Sequence, residues 1–404
     1  MLEKIDGNYF EIKTSGLSLS TNYHLNEPLN VEPKAKYLSK INKNMSFEIS
    51  VKRISQSRLP DVDFNNLPFG RTFSDHMFVA DYYDGKWQDY RIVPFEHFPI
   101  HPAAMALHYG QAIFEGMKAS KSLDGKPLFF RPEQHGIRIN RSAHRMCMPS
   151  FPEDVFEEAL HQLVAIDANW IPTDPGSALY LRPYMFANDE FIGVKPSNTY
   201  KFIIFTGPVG PYYPKPVRLL AETKYIRAAD GGTGEAKAAG NYGGSLLPAK
   251  LAQEKGFDQV MWLDANEFKY IQEAGTMNLF FVIDGTVVTP DLSGTILPGI
   301  TRDSFIKVLK GKGIPVEERP ISTDEILQAF KNGTLEESFG AGTAAVVAHV
   351  SEIQIGDTLV TLPPVEGRKI GPMLKATIEG LRDGTGTDEF GWVIPVRELS
   401  TATI

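Results

Sequence analysis

The sequence predicts an α+β fold in two domains, on three observations. Strand-like and helix-like stretches are mixed, without the regular strand–helix alternation of a doubly wound sheet. Strands end in two-residue Asp-Gly turns, at Asp84-Gly85 and Asp284-Gly285, which suit antiparallel hairpins. The chain has 404 residues, enough at roughly 100–200 per domain for two or three cores, and one segment dense in Pro and Gly divides it.

Taken in order, residues 1–45 are polar, rich in Asn, Lys and Ser, and lack sustained apolar periodicity; they read as an extension outside the core, with Met45 a second candidate start. Phe78 to Trp87 reads as a strand running into the Asp84-Gly85 turn, and a helix is expected near Ala103–Phe114. Ser150-Phe-Pro-Glu153 has the spacing of a capping box, and Val155, Phe156, Leu160, Leu163 and Val164 then recur at helical period until Pro172. Tyr180–Pro183 and Tyr200–Thr206 are strand-like. Four prolines and two glycines fall within Gly207–Pro216. That run sets the boundary between a small N-terminal α+β domain (46–210), a linker (211–220) and a larger C-terminal domain (221–404). Beyond it come a strand from Val217, a glycine-rich stretch at 231–244 and a helix near Ser245–Lys255. Strands follow at Val260–Leu263, Asn278–Ile283 and Thr286–Thr289, then a helix over about Thr301–Lys310. Ser322-Thr-Asp-Glu325 caps a last predicted helix that ends at Gly333.

Composition removes whole classes of function. Asp+Glu outnumber Lys+Arg by 49 to 41, giving a net charge of −8, and phosphate backbones need clustered cations; nucleic acid is not an expected partner. One cysteine, Cys147, can form neither an internal disulfide nor a thiolate zinc site, so a reducing compartment is expected. No apolar run approaches the roughly 18 residues of a membrane span. Residues 1–45 hold several Glu and no Arg, unlike a secretory or mitochondrial leader. The cytoplasm is therefore the expected location, away from membranes.

Common catalytic signatures are missing: there is no His-Glu-x-x-His, Cys-x-x-Cys or Gly-x-Ser-x-Gly, and nine scattered histidines give no metal-binding spacing. Gly340-Ala-Gly342-Thr-Ala-Ala345 imitates a dinucleotide fingerprint, but β-branched Val346-Val347 follow it where a helix should start. The glycine-rich stretch is more informative. Lys237 stands among Gly232, Gly234, Ala236, Ala238, Ala239 and Gly240, with Tyr242 five residues on. Small neighbours let a flat cofactor approach the backbone, and a lysine there is either a Schiff-base former or an exposed loop residue. Gly299-Ile300-Thr301 opens a helix, which suits a phosphate or a plain N-cap. Glu273, ahead of Ala-Gly-Thr-Met-Asn278, is a partner for a cationic ring or an ordinary edge carboxylate. Gly342–Ala345 adds a small-residue concavity. Together these are the outfit of a pyridoxal 5'-phosphate enzyme.

The chain resembles the branched-chain amino acid aminotransferases, within the fold type IV family of pyridoxal-phosphate enzymes, from about Phe69 to the C-terminus. The resemblance is carried by Phe69–His76, Leu107–Ala119, Phe130–Pro132, Arg141–Pro149, Tyr180–Pro183, Gly231–Tyr242, Glu273–Asn278, Leu297–Gly299 and Phe339–Ala344. It implies a two-domain fold with the cofactor between the domains, and reversible transfer of an amino group between leucine, isoleucine or valine and 2-oxoglutarate in two half-reactions. Lys237 would be the Schiff-base lysine, Tyr242 would meet the cofactor's phenolic oxygen, and Glu273 would hold the pyridine nitrogen protonated. Arg138, Ile300, Thr301 and Thr343 would take the phosphate. Phe69, Tyr109 and Tyr180 would wall the aliphatic side chain, with Thr276 beside the substrate. Arg182 and Tyr212 would meet the second carboxylate of glutamate, and the Thr343–Ala344 amides its α-carboxylate. Val194 resembles a residue inserted from a partner subunit, which implies a homodimer. Some relatives carry Cys-x-x-Cys after the Gly-Thr-Ala turn; here the stretch is Ala345-Val-Val-Ala348, so thiol regulation of that kind is not expected. A D-amino acid aminotransferase or aminodeoxychorismate lyase on the same fold is the alternative.

Overall fold

A computed structural model of the chain describes residues 47–211 and 215–399. The predicted extension 1–45 and Tyr212 lie outside the described residues. Two mixed sheets of nine strands each, among the described residues, organise the rest.

The first sheet contains β1 (Ser50–Val51), β2 (His76–Tyr83), β3 (Lys86–Pro94), β4 (Ala112–Phe114), β5 (Met117–Lys121), β6 (Pro127–Phe130), β7 (Ala178–Ala187) and β8 (Tyr200–Val209). The second contains β9 (Val217–Ala221), β10 (Gln259–Leu263), β11 (Ile271–Ala274), β12 (Met277–Ile283), β13 (Thr286–Thr289), β14 (Val316–Glu318), β15 (Leu335–Gly342), β16 (Val346–Ile355) and β17 (Thr358–Thr361). The chain changes sheets across the Pro-rich run, with β9 beginning inside the segment read as linker. A last strand, β18 (Val393–Pro395), returns to pair with β6 of the first sheet.

Seven α-helices flank the sheets among the described residues: α1 (Met105–Tyr109), α2 (Pro132–Arg145), α3 (Glu153–Ile166), α4 (Ala239–Glu254), α5 (Ile300–Gly311), α6 (Thr323–Asn332) and α7 (Ile370–Arg382). Helices α2 and α3 cover one face of the first sheet, where Ile139, Ala143, Phe156, Leu160 and Leu163 pack with Phe78, Leu179, Leu181 and Phe202. The second sheet is covered on both faces. Leu279 and Phe281 of β12 pack with Ile326 of α6, while Phe280 and Val282 pack with Phe305 of α5 and Leu374 of α7. This double cover explains why Met277–Ile283 is an almost unbroken apolar run. Each phenylalanine buried there contributes roughly 1.5–3 kcal/mol.

Several local expectations are met. The Asp84-Gly85 and Asp284-Gly285 turns join antiparallel strands, and Ser322 Oγ accepts the Glu325 amide at 3.1 Å at the start of α6. Gly340–Ala345 is no dinucleotide loop: β15 and β16 form an antiparallel hairpin around it. Other expectations need correcting. The helix expected over 103–114 stops at Tyr109, because Gly110 adopts a left-handed conformation (φ 64°) and releases the chain into β4. Ser150 caps nothing; the N-cap of α3 is Pro152 without a side-chain bond, and Ser150's carbonyl accepts Trp87 Nε1 at 2.9 Å. Helix α4 begins at Ala239, six residues earlier than expected. Asn241 Nδ2 donates to the carbonyls of Thr233 and Ala236, and these bonds hold the glycine-rich turns in place against their weak helix propensity.

Beside α7, the His349 Nδ1 is buried without a hydrogen-bond partner among the described residues. Burial, helped by the Arg368 charge, pushes this imidazole down to about 4. An unfolded histidine titrates near 6.5, so between about pH 6.5 and 4 the unfolded chain binds a proton that the folded chain refuses. Stability contributed by neutral His349 is therefore lost as pH falls through that window. His349→Gln is expected to flatten the fall of Tm between pH 7 and 4; an unchanged slope would place the acid sensitivity elsewhere.

Candidate active site

The two sheets and the segments joining them enclose a cleft of about 620 Å³. Its walls come from β4, the Glu115-Gly116 link, α2, β7, the 237–242 segment, β12, the start of α5 and the 341–345 turn. Lys237, Arg138, Tyr242, Ile300, Thr301, Thr343, Phe69, Tyr180, Arg182, Thr276 and Ala344 all line it.

Lys237 is fixed through its backbone before its amine is used. Its amide donates to Ser142 Oγ of α2 at 2.9 Å, and its carbonyl accepts the Phe114 amide of β4 at 3.1 Å. The stem is thereby aimed from the second half of the chain against the first. Nζ donates to Tyr242 Oη at 2.9 Å, and it sits 4.8 Å from the centre of the Phe114 ring. An amine against a phenol and an aromatic face, with no carboxylate hydrogen-bonded to it among the described residues, suits proton exchange and nucleophilic attack.

Glu273 lies behind the cleft wall, 2 % exposed. Oε1 accepts the Leu297 amide at 2.8 Å and Asn278 Nδ2 at 3.3 Å, and Oε2 is 2.7 Å from Arg227 Nε. Burial pushes this carboxyl up, against the opposing pull of Arg227. Arg227 also donates to the carbonyls of Thr295 and Gly234, so one guanidinium joins the carboxylate to the loop that carries the lysine.

Helix α5 opens into the cleft without a side-chain cap: Gly299 is the N-cap, and the Ile300 and Thr301 amides have no intrahelical partner. A side chain at Gly299 would collide with Asn278 Oδ1, so only glycine lets the backbone come this close. Arg138 of α2 reaches the same end of the cleft and donates to the Pro298 carbonyl at 3.2 Å. Uncapped amides and a guanidinium at one point have the chemistry to hold an anion such as a phosphate. Buried Arg131, at the N-cap of α2, holds α5 in register through Ser304 Oγ (2.8 Å) and Asp303 (2.6 Å).

The opposite wall is aromatic. Pleating of β7 puts Tyr180, Arg182 and Tyr184 on the cleft face while Leu179, Leu181 and Met185 enter the core. Phe69 meets Tyr180 edge-on at 5.0 Å. Arg182 lies 4.7 Å over Phe114 and donates to Tyr180 Oη at 3.1 Å, and its Nε is buried without a partner among the described residues. A side chain at Gly116 would strike the Tyr180 hydroxyl, so this glycine keeps the wall flat. Tyr109 stands apart: it is 41 % exposed at the end of α1 and does not line the cleft.

Some functional groups escaped the sequence reading. Tyr184 and Phe205 belong to the aromatic wall; extending the period of two from Tyr180 and Arg182 would have found Tyr184. Buried Lys118 donates to the Ala344 carbonyl at 2.7 Å, and Arg382 reaches the Thr343 carbonyl at 3.5 Å, which anchors the 343–345 turn from behind. Burial, with the Arg382 charge, pushes Lys118 down to about 7. Glu115, His135 and Arg227 lay inside or beside matched runs, but pattern alone could not give them partners. Among the described residues no group of His, Cys, Asp or Glu could hold a metal ion, and no helix is long and apolar enough to cross a membrane.

The chain is similar to known proteins over most of its length. The profile of the amino-transferase class IV family matches residues 112–353. "Branched-chain-amino-acid aminotransferase 2" of Bacillus subtilis (strain 168) is 49% identical over 351 residues, covering 86% of this chain and 97% of that protein. Among solved structures, the branched-chain amino acid aminotransferase of Escherichia coli superposes with a TM-score of 0.64 at 29% identity, over 80% of this chain and 99% of that one. The branched-chain aminotransferase of the thermophilic archaeon Thermoproteus uzoniensis, solved with norvaline, gives a TM-score of 0.67 at 26% identity, over 80% and 100%.

Proposed function

Because the chain belongs to the class IV aminotransferases, we propose that it transfers the amino group of L-leucine, L-isoleucine or L-valine to 2-oxoglutarate with pyridoxal 5'-phosphate as cofactor. The observation that carries this reading is the convergence of Lys237, the uncapped α5 N-terminus with Arg138, and the Phe69–Tyr180 wall in one cleft. The residues fit the cofactor. Arg138 and the amides of Ile300 and Thr301 offer free N–H groups for the phosphate, and the hydroxyl of Thr343 completes the cup. Glu273, the buried carboxylate behind the cleft wall, would be the partner of its ring nitrogen. When bound, the cofactor supplies an electron-withdrawing ring that acidifies the substrate's Cα–H.

Lys237 does the proton work. With the cofactor bound, Lys237 Nζ would take the proton from the substrate's Cα as base and give it up again as acid, with Tyr242 Oη, 2.9 Å away, holding the amine in place between the two events. Phe69, Tyr180, Tyr184 and Phe205 exclude water and receive the branched side chain. Arg182, whose Nε has no partner among the described residues, would meet the second carboxylate when glutamate occupies the same cleft, and the Thr343–Ala344 amides would receive the α-carboxylate. Tyr212 remains part of the proposal as a substrate contact; Tyr109, which does not line the cleft, does not. A cytoplasmic homodimer belongs to the same reading: Phe191, Ile192 and Val194 expose apolar side chains on one loop, Val194 to 89 %, a patch suited to a partner surface.

The test is single-turnover spectroscopy of the purified protein with L- and D-amino acids. Bleaching of the Schiff-base band by L-leucine, L-isoleucine, L-valine and L-glutamate, but not by D-leucine, is the expected result. Turnover of D-leucine in place of the L-form would transfer the site to the D-amino acid branch of the fold.

A further inference from the structure

The phosphate cup contains an acid. Glu115 is fully buried in the two-residue link between β4 and β5, anchored by its amide on the Pro183 carbonyl at 2.7 Å. Its carboxylate grips Arg138 along one edge, Nε to Oε1 at 2.7 Å and Nη2 to Oε2 at 2.8 Å, and Oε2 also accepts His135 Nδ1 at 2.7 Å. His135 and Arg138 stand three residues apart on α2, on one helix face, so the link and the helix are held together by three hydrogen bonds.

A buried carboxylate costs several kcal/mol to desolvate, and an apolar residue would often serve the fold as well. Burial alone would raise the Glu115 carboxyl, but Arg138 and His135 outweigh it and hold it well below the usual carboxylate range. Burial also keeps His135 low, hence neutral and able to donate through one nitrogen. The pair Glu115–Arg138 is then close to neutral as a whole. Of the five guanidinium N–H bonds, the carboxylate takes two and the Pro298 carbonyl one, leaving two for a ligand. Arg138 therefore recognises its anion less by net charge than by where those two N–H groups are held.

We propose that Glu115 is a positioning residue for the cofactor phosphate: by clamping one edge of Arg138, it presents the remaining N–H groups to the anion at the α5 N-terminus. The inference rests on the reading of the cleft as a pyridoxal-phosphate site. It assigns Glu115 no part in the transfer itself.

The experiment compares pyridoxal 5'-phosphate with pyridoxal, which lacks the phosphate, on the full-length chain stripped of cofactor. Half-saturation is read from the absorbance of the Schiff base with Lys237. In Glu115→Gln the amide opposes one N–H of Arg138 or His135 with another. The preference for the phosphorylated form is expected to fall by about 10-fold or more, on the scale of one charge-assisted hydrogen bond, while pyridoxal itself changes by less than about 3-fold. Glu115→Asp keeps the charge but shortens the stem, so the edge-on grip is lost; a smaller loss of the same preference is expected, and this variant carries the test if the glutamine protein does not fold. A preference unchanged in the folded variants, or a phosphorylated form bound more tightly once the negative charge is gone, would overturn the proposal. A wild-type chain that forms no Schiff base with either compound would instead sink the cofactor reading, a separate outcome.

Discussion

Lys237→Ala should lower transamination by on the order of 10⁴-fold, the upper range for removing a general acid–base, and abolish the covalent cofactor band. The reason is geometric as well as chemical. Among the described residues, no other lysine lines the cleft; Lys118, buried behind the 343–345 turn, is held by the Ala344 carbonyl. The backbone of residue 237 is fixed by Ser142 and Phe114, so alanine there should leave the fold intact. Steady-state rates with L-leucine and an absorption spectrum of the same sample decide the matter. Appreciable turnover by the alanine protein would remove Lys237 from the chemistry.

Glu273→Gln should separate binding from catalysis. Its carboxylate is occupied by Leu297, Asn278 and Arg227 in a buried setting, so the isosteric amide keeps the shape but loses the charge and turns its NH2 on Arg227 Nε. On the proposed reading, a ring nitrogen facing an amide would no longer hold its proton, and the acidity of the substrate's Cα–H would drop. The expected result is a fall in kcat of roughly 10²-fold or more, the scale of losing one preorganised electrostatic partner. Cofactor half-saturation should move only a few-fold, since the phosphate contacts are untouched. An α-deuterated substrate supplies the second readout: its isotope effect on kcat should grow as proton removal becomes slower. A variant that loses the cofactor while keeping kcat at saturation would make Glu273 a binding residue only.

These two residues also show how much was legible in the chain. Lys237 stood out because small neighbours crowd around it, and Glu273 because it precedes a strand with a Gly-Thr turn; both are local patterns. The predicted strands near 180, 200, 260 and 278, and the hairpin at Asp284-Gly285, likewise follow from local period and turn chemistry. Local rules failed where a tertiary partner outvoted them. The glycine-rich start of α4 is helical because Asn241 is bonded to the preceding loop. The Ser150 box is unused because the helix opens at Glu153 with Pro152 as its N-cap, out of register with the serine.

By themselves, then, local patterns in the sequence pointed to the α+β class and to Lys237 and Glu273 as candidates, while the other candidate residues came from the resemblance of whole runs to a family. The structure alone decided which groups meet. Glu115 on Arg138 spans 23 residues, Arg227 on Glu273 spans 46, and Lys118 on Ala344 spans 226. A single sequence carries no record of such pairings, because a buried charge is matched by whatever the fold brings within hydrogen-bond reach, and that is settled only when both sheets and their helices have packed.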